Sequence, residues 1–186
     1  LKADVELLEM VRHGEPAGAT ALFERYSAPI LRFTTRMLGN EAEAEEITQD
    51  VFLKMISRVE QFDGRAAVSS WLFAIAANAC RDRLRSKVRT TSVPLDAVTE
   101  SADPGEGIET ALLDREKRRL VRDALGRLSE EQREALILAR YHGLPYSEIA
   151  RTLKISEGAV KTRIFRAMET LKGVFSQGGR SCRAAM

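Results

Sequence analysis

Apolar residues in this chain recur every three or four positions over nearly its whole length, and that spacing permits little except helix. Leu22, Tyr26, Ile30, Phe33 and Met37 step by 4, 4, 3 and 4; Ala44, Ile47, Val51, Met55 and Val59 step by 3, 4, 4 and 4. Such steps return side chains to one helix face. Trp71, Ile75 and Ala79 continue the pattern. No stretch rich in β-branched residues alternates over four or more positions, so the expected fold class is all-α. The punctuation agrees. Gly39 should end a helix, Asn40 with Glu43 and Ser129 with Gln132 read as N-caps with capping-box partners, and Asp63-Gly64 marks a loop.

One stretch breaks the period. Residues 88–107, VRTTSVPLDAVTESADPGEG, hold two prolines, two glycines, four acids and few large apolar groups. That composition predicts a flexible acidic linker between two small helical domains, residues 1–87 and 108–175, with 176–186 as a frayed tail. Charge is also partitioned. The net charge is only +2, but residues 1–79 carry −4, 80–90 carry +4, 91–116 carry −6, 117–133 carry +3 and 134–186 carry +5. Alternating blocks suggest more than one kind of partner surface.

Several function classes are poorly served by this sequence. No apolar run approaches the roughly 20 residues of a membrane helix. The start, LKADVELLEM, has acids inside its apolar stretch and no signal-peptide pattern. Two cysteines, Cys80 and Cys182, make no disulfide framework or CxxC, which fits a reducing, cytoplasmic setting. His13 and His142 are too few and too far apart for a metal or catalytic set, and no nucleophile-elbow, Walker or dinucleotide motif is present. The expectation is a protein without enzymatic activity, cofactor or metal.

The most informative segment is LPYSEIARTLKISEGAVKTRIFRAMETLK, residues 144–172. Tyr146, Ile149, Ala150 and Leu153 give a short helix an inward face. Lys154-Ile155-Ser156 forms a tight turn, with Ser156 as N-cap of the next helix. There Val160, Ile164, Ala167 and Leu171 face inward, leaving Lys161, Thr162 and Phe165 outward with Arg163 and Arg166 on the flanks. This is the helix-turn-helix geometry that lays a recognition helix in the major groove. Arg and Lys can read guanine or neutralise phosphate, and Thr can meet either base type. Phe165 is a large apolar group on a basic outward face, suited to a thymine methyl or sugar. The bland alternative is a solvated basic face with one stray aromatic.

Toward the N-terminus, EAEEITQDVFLKMI (43–56) is an amphipathic helix with Glu46, Gln49, Asp50 and Lys54 on its polar side. On pattern alone it is a solvated face with i,i+4 charge support, or a surface for a basic protein. FDGRAAVSSWLFAIAANACRDRLRSK (62–87) has a loop at 63–70 and then a helix with small residues, a lone amide at Asn78, and Arg81, Arg83, Arg85 and Lys87. Trp71 suits a core position; basic groups beside an aromatic and a polar loop also suit single-stranded DNA.

Taken in order, ALFERYSAPILRFTTRMLGN, EAEEITQDVFLKMI, FDGRAAVSSWLFAIAANACRDRLR, LSEEQREALILARYHGLPYSEIA and ISEGAVKTRIFRAMETLK resemble a bacterial RNA polymerase sigma factor of the extracytoplasmic-function (ECF) type, from about Ala21 to Phe175. The resemblance implies two DNA-reading domains, regions two and four, joined by a short linker. It implies that Glu46, Gln49 and Asp50 dock on the clamp helices of the largest subunit of core RNA polymerase, with the flap as a second polymerase contact. Phe62, Asp63 and Ser69 would line the loop pocket that takes a flipped minus-ten base. Trp71, Asn78, Arg81 and Arg85 would complete the minus-ten surface. Ser156, Lys161, Thr162, Arg163, Phe165 and Arg166 would meet the minus-thirty-five element. Lys161 stands where Arg is also common, and a Lys lacks the planar two-pronged contact. The resemblance further implies an anti-sigma factor, often membrane-anchored, as a partner, and a chain monomeric when free. Cys182 departs from the minimal family pattern. Two rivals remain: a dimeric helix-turn-helix repressor on a palindrome, which leaves EEITQD unexplained, and a protein-interaction adaptor.

Overall fold

In the computed structural model, residues 3–90, 116 and 119–183 are described, with side chains through 87 and 174 in the helices that close the two long segments. The described residues form helices and connecting turns, with no strand among them. α1 (Asp4–Arg12), α2 (Pro16–Leu38), α3 (Glu41–Ser57), a 3-10 turn (Val59–Gln61) and α4 (Val68–Thr90) make the N-terminal unit. α5 (residues 119–126), α6 (Glu130–Arg140), α7 (Tyr146–Leu153) and α8 (Glu157–Arg183) make the C-terminal unit.

Local chemistry sets these boundaries. Pro16 occupies the first turn of α2, where a missing N–H costs nothing, and Gly39 closes that helix at φ 70°. Asn40 Oδ1 accepts from the Glu43 N–H at 3.1 Å. The Glu43 carboxylate does not complete the expected capping box; it pairs with Lys87, 2.5 Å away on α4. Ser129 and Gln132 do form the reciprocal box. Between α7 and α8, Lys154 takes a left-handed φ of 56° and Ser156 Oγ accepts from Ala159 N–H at 3.1 Å, which is the expected turn and cap.

Three boundaries differ from the sequence reading. α4 starts at Val68, inside the expected loop, so Ser69 lies in its first turn. α4 also continues through residues 88–90; the rest of the 88–107 linker lies outside the described residues. α8 runs to Arg183, past the expected end at 175, because an elongating helix adds one backbone hydrogen bond per residue and a glycine pair weakens it without stopping it.

The two units are not held apart. Phe33, Phe73, Ile137, Leu138, Ile149 and Val160, from both units, belong to one continuous buried cluster. α6, of the C-terminal unit, packs on α8 and also on α2 across the seam, and buries Glu134, Ala135, Leu136, Ile137 and Leu138 in succession. A helix is buried all round only when it packs on more than one side. Polar contacts cross the same seam. Arg133 Nη1 donates to the Met37 carbonyl at 2.6 Å, Arg36 lies 4.1 Å from the Tyr141 ring centroid, and the His142 ring packs on Phe73 at 4.5 Å and Phe33 at 6.0 Å. No described helix is long and apolar enough to cross a membrane.

Candidate functional site

α3 buries Ala44, Ile47, Thr48, Val51, Phe52 and Met55, which turns Glu46, Gln49 and Asp50 outward together. The one ion pair open to the expected i,i+4 charge support, Asp50 with Lys54, does not form. Glu46 instead accepts from Arg83 Nη2 at 2.9 Å, which ties α3 to α4. One turn beyond Gln49 stands Leu53, 64% exposed, and beside it Ile56 and the Phe23–Phe52 pair, whose centroids are 4.9 Å apart. Sequence reasoning missed this apolar extension of the acidic face. Leu53 and Ile56 fall on the outward side of the α3 wheel, and that was the available signal.

The second group gathers on α4 and the loop before it. Trp71, Asn78, Arg81 and Arg85 step by 7, 3 and 4, so they share one face of α4. Asn78 and Arg85 are exposed, and Arg81 Nη2 donates to Asn78 Oδ1 at 2.5 Å. Asp63 is exposed at the loop tip and accepts from Arg65 N–H at 3.0 Å. Phe62 departs from the expectation of an open pocket wall. It is only 8% exposed, with its ring 5.3 Å from Trp71, because burying two aromatic faces outweighs presenting either to water. Ser69 is half-buried, near the Tyr26 phenol.

The C-terminal unit lies against this surface. Ser70 Oγ donates to Glu148 Oε2 at 2.8 Å, Thr152 Oγ1 to the Ser70 carbonyl at 3.5 Å and Arg151 Nη1 to the Arg65 carbonyl at 3.3 Å. Arg81 Nε stands 3.5 Å from Glu134 Oε1. That carboxyl is 1% exposed, its Oε1 finds no hydrogen bond, and burial pushes its pKa up to about 6 against the pull of Arg81 and Arg163. His142 is held neutral, its pKa pushed down to about 4 by burial and by Arg36 and Arg32.

On α8, Lys161, Thr162, Phe165 and Arg166 are exposed on the outer face, and Phe165 is 66% exposed with nothing folded over it. Two of the expected contacts are otherwise engaged. Ser156 spends its hydroxyl on the cap, and Arg163 pairs with Glu131 on α6 at 3.2 Å. Thr162 is exposed, and its Oγ1 donates back to the Gly158 carbonyl at 2.9 Å. Cys80 is buried and its thiol pushed up to about 12, so it is inert; the Cys182 side chain lies outside the described ones. Among the described residues no three His, Cys, Asp or Glu side chains gather as a metal site.

Comparison with known proteins matches this arrangement in both halves. Residues 22–90 match the family model for Sigma-70 region 2, and residues 118–171 that for Sigma-70, region 4. The chain is 34% identical to the ECF RNA polymerase sigma factor SigM of Mycobacterium tuberculosis over 91% of this chain and 83% of that one. It is 30% identical to the RNA polymerase sigma-H factor of Pseudomonas aeruginosa over 90% of this chain and 91% of that one. The fold is shared with CnrH, solved in complex with the cytosolic domain of CnrY (TM-score 0.74, 23% identity, 95% of this chain and 99% of that one). It is shared also with RpoE of Bartonella quintana, solved with the anti-sigma factor NepR (TM-score 0.67, 22% identity, 84% and 96%). The chain therefore belongs to the ECF family of RNA polymerase sigma factors, non-enzymatic proteins that give the polymerase its promoter specificity at transcription initiation.

Proposed function

We propose that the two units divide the work of initiation. Region two spans residues 1–87 and region four residues 108–175. Glu46, Gln49 and Asp50, extended by Leu53, dock on the clamp helices of core polymerase, and region four meets the flap. Asp63 and Ser69 with Trp71, Asn78, Arg81 and Arg85 hold the melted minus-ten strand. Thr162, Phe165 and Arg166 read the minus-thirty-five element in the major groove, and Lys161 neutralises a phosphate beside it. The observation that carries this reading is the outer face of α8: a 66%-exposed Phe165 between basic groups, on the second helix of a helix-turn-helix. An isolated fold has no use for it, whereas a thymine methyl does.

Energetics explains why two sites and a polymerase are needed. Unstacking a base costs a few kcal/mol, which loop and phosphate contacts on the displaced strand offset without ATP hydrolysis by this chain. Each site is small, and tethering raises the effective concentration of the second once the first is bound. In the closed arrangement Ser70 and Arg81 are engaged by region four. The free chain, a monomer in the cytoplasm, is thus a poor promoter binder until core polymerase separates the units. An anti-sigma factor that covers the polymerase-binding faces completes the control; the complexes of the like-folded CnrH and RpoE support this. Fluorescence anisotropy of a promoter duplex, with and without core enzyme, tests the reading. Tight binding only with core is expected, and equal affinity in both contradicts it.

A further inference from the structure

We propose that α1, which lies before the residues matched as region 2, braces the minus-ten loop, and that Arg12 is the positioning residue through which it acts. The inference rests on the reading of residues 62–67 as part of the minus-ten surface. Arg12 Nη2 donates to the Val59 carbonyl at 3.1 Å and to the Phe62 carbonyl at 3.0 Å. These oxygens bracket the 3-10 turn that feeds the loop, and Phe62 is the turn's C-cap. The Val59 carbonyl already accepts the Phe62 N–H that closes the turn, so Arg12 is its second donor, whereas the partly buried Phe62 carbonyl takes its donor from α1. The guanidinium is aimed by Nη1, which pairs with Glu9 on α1; Nε makes no hydrogen bond and lies 3.5 Å from the exposed Glu60 Oε2 in the turn itself.

The other root of the loop is reached from the opposite end of the same helix. Asp4 pairs with Arg25 and accepts from the Tyr26 hydroxyl, and Ser69, where the loop enters α4, lies near enough to act on that phenol. Burial and the neighbouring Asp4 raise the phenol above its ordinary range, so it remains a donor. α1 is itself fixed. Leu7, Leu8 and Val11 are buried, and α2 approaches so closely that a Cβ at Gly18 would stand 2.5 Å from the Leu7 carbonyl and 2.7 Å from Met10 Cβ.

Beyond the root that Arg12 braces, the loop tip faces water. Asp63 is exposed and turned by its bond to Arg65 N–H, and Gly64 takes φ +73°. A base-reading loop needs this combination, because a fixed root holds the tip in its productive geometry before DNA arrives. Without Arg12 the tip samples more positions, and discrimination between bases falls.

The test uses holoenzyme assembled with core polymerase on templates with a fixed minus-thirty-five element and randomised minus-ten positions, transcripts being counted by sequencing. Arg12→Ala should lower base preference about tenfold, the equivalent of one charge-assisted hydrogen bond, at the positions where Asp63→Ala also lowers it. Core affinity and minus-thirty-five preference should not move, and Arg12→Lys should fall between. Unchanged preferences in Arg12→Ala beside flattened ones in Asp63→Ala overturn the brace. A uniform drop in transcripts with preferences intact overturns it too, since that is a purely structural effect. Should Arg12→Ala not fold, Arg12→Lys decides, because it keeps stem and charge but loses the fork. If Asp63→Ala itself leaves every preference intact, the loop assignment fails, whatever Arg12 does.

Discussion

Glu134→Gln should make this protein more stable at neutral pH, although the substitution breaks an ion pair. Glu134 sits in the seam between the units with a 1% exposed side chain, and its one carboxylate oxygen facing Arg81 is 3.5 Å away and not hydrogen-bonded. Desolvation exceeds the attraction of Arg81 and Arg163, so the pKa rises from 4.5 to about 6. That makes ionisation about 2 kcal/mol harder in the folded chain than in the unfolded one. The sign follows from proton counting. An acid whose folded pKa is raised contributes stability that is whole below 4.5 and lost as pH climbs through about 6. The amide has the same shape and no charge to desolvate, and Arg81 keeps Asn78 Oδ1 and the Ala77 carbonyl. Thermal unfolding at pH 7.5 should show the variant melting about 4–8 °C higher, as about 2 kcal/mol implies for a chain of this size. Near pH 4 the two proteins should coincide. A variant less stable than its parent at pH 7.5 would refute the reasoning, because the ion pair would then outweigh the buried charge.

Other perturbations separate the surfaces. His142 works in the opposite direction: its depressed pKa means stability present above 6.5 and lost as pH falls through about 4, so His142→Phe should flatten that loss in unfolding scans over this window. Phe165→Ala should leave stability within about 0.5 kcal/mol, since the side chain is 66% exposed, yet weaken holoenzyme binding at the minus-thirty-five element in anisotropy. Lys161→Ala should weaken binding evenly across sequences and reduce the salt slope by about 1. Asp50→Arg and Leu53→Ala should each impair pull-down with core polymerase while the melting temperature holds, because both side chains face water.

Much of this was legible in the sequence because it is written in local chemistry. The caps at Asn40, Ser129 and Ser156, the left-handed Gly39 and the two-faced α8 follow from side chains within four residues of one another. What stayed hidden is long-range. EEQREALILAR reads as an ordinary amphipathic helix, and only packing on both sides explains why Glu134 is buried along with Ala135 through Leu138. The run of apolar residues at 135–138 was the available hint. Arg163 looked free until α6 brought Glu131 to it, and Phe62 looked like a pocket wall until Trp71 covered it. Arg12 carried no signal at all, for its partners are backbone carbonyls about fifty positions away, which no side-chain pattern records.

Two helical units lean on core polymerase to hold a start site open. Run-off transcription with purified core enzyme on a pool of promoter fragments measures that directly. Transcripts that depend on this chain, and that start at a fixed distance downstream of paired minus-thirty-five and minus-ten elements, are predicted. No chain-dependent initiation on any template in the pool would contradict the account.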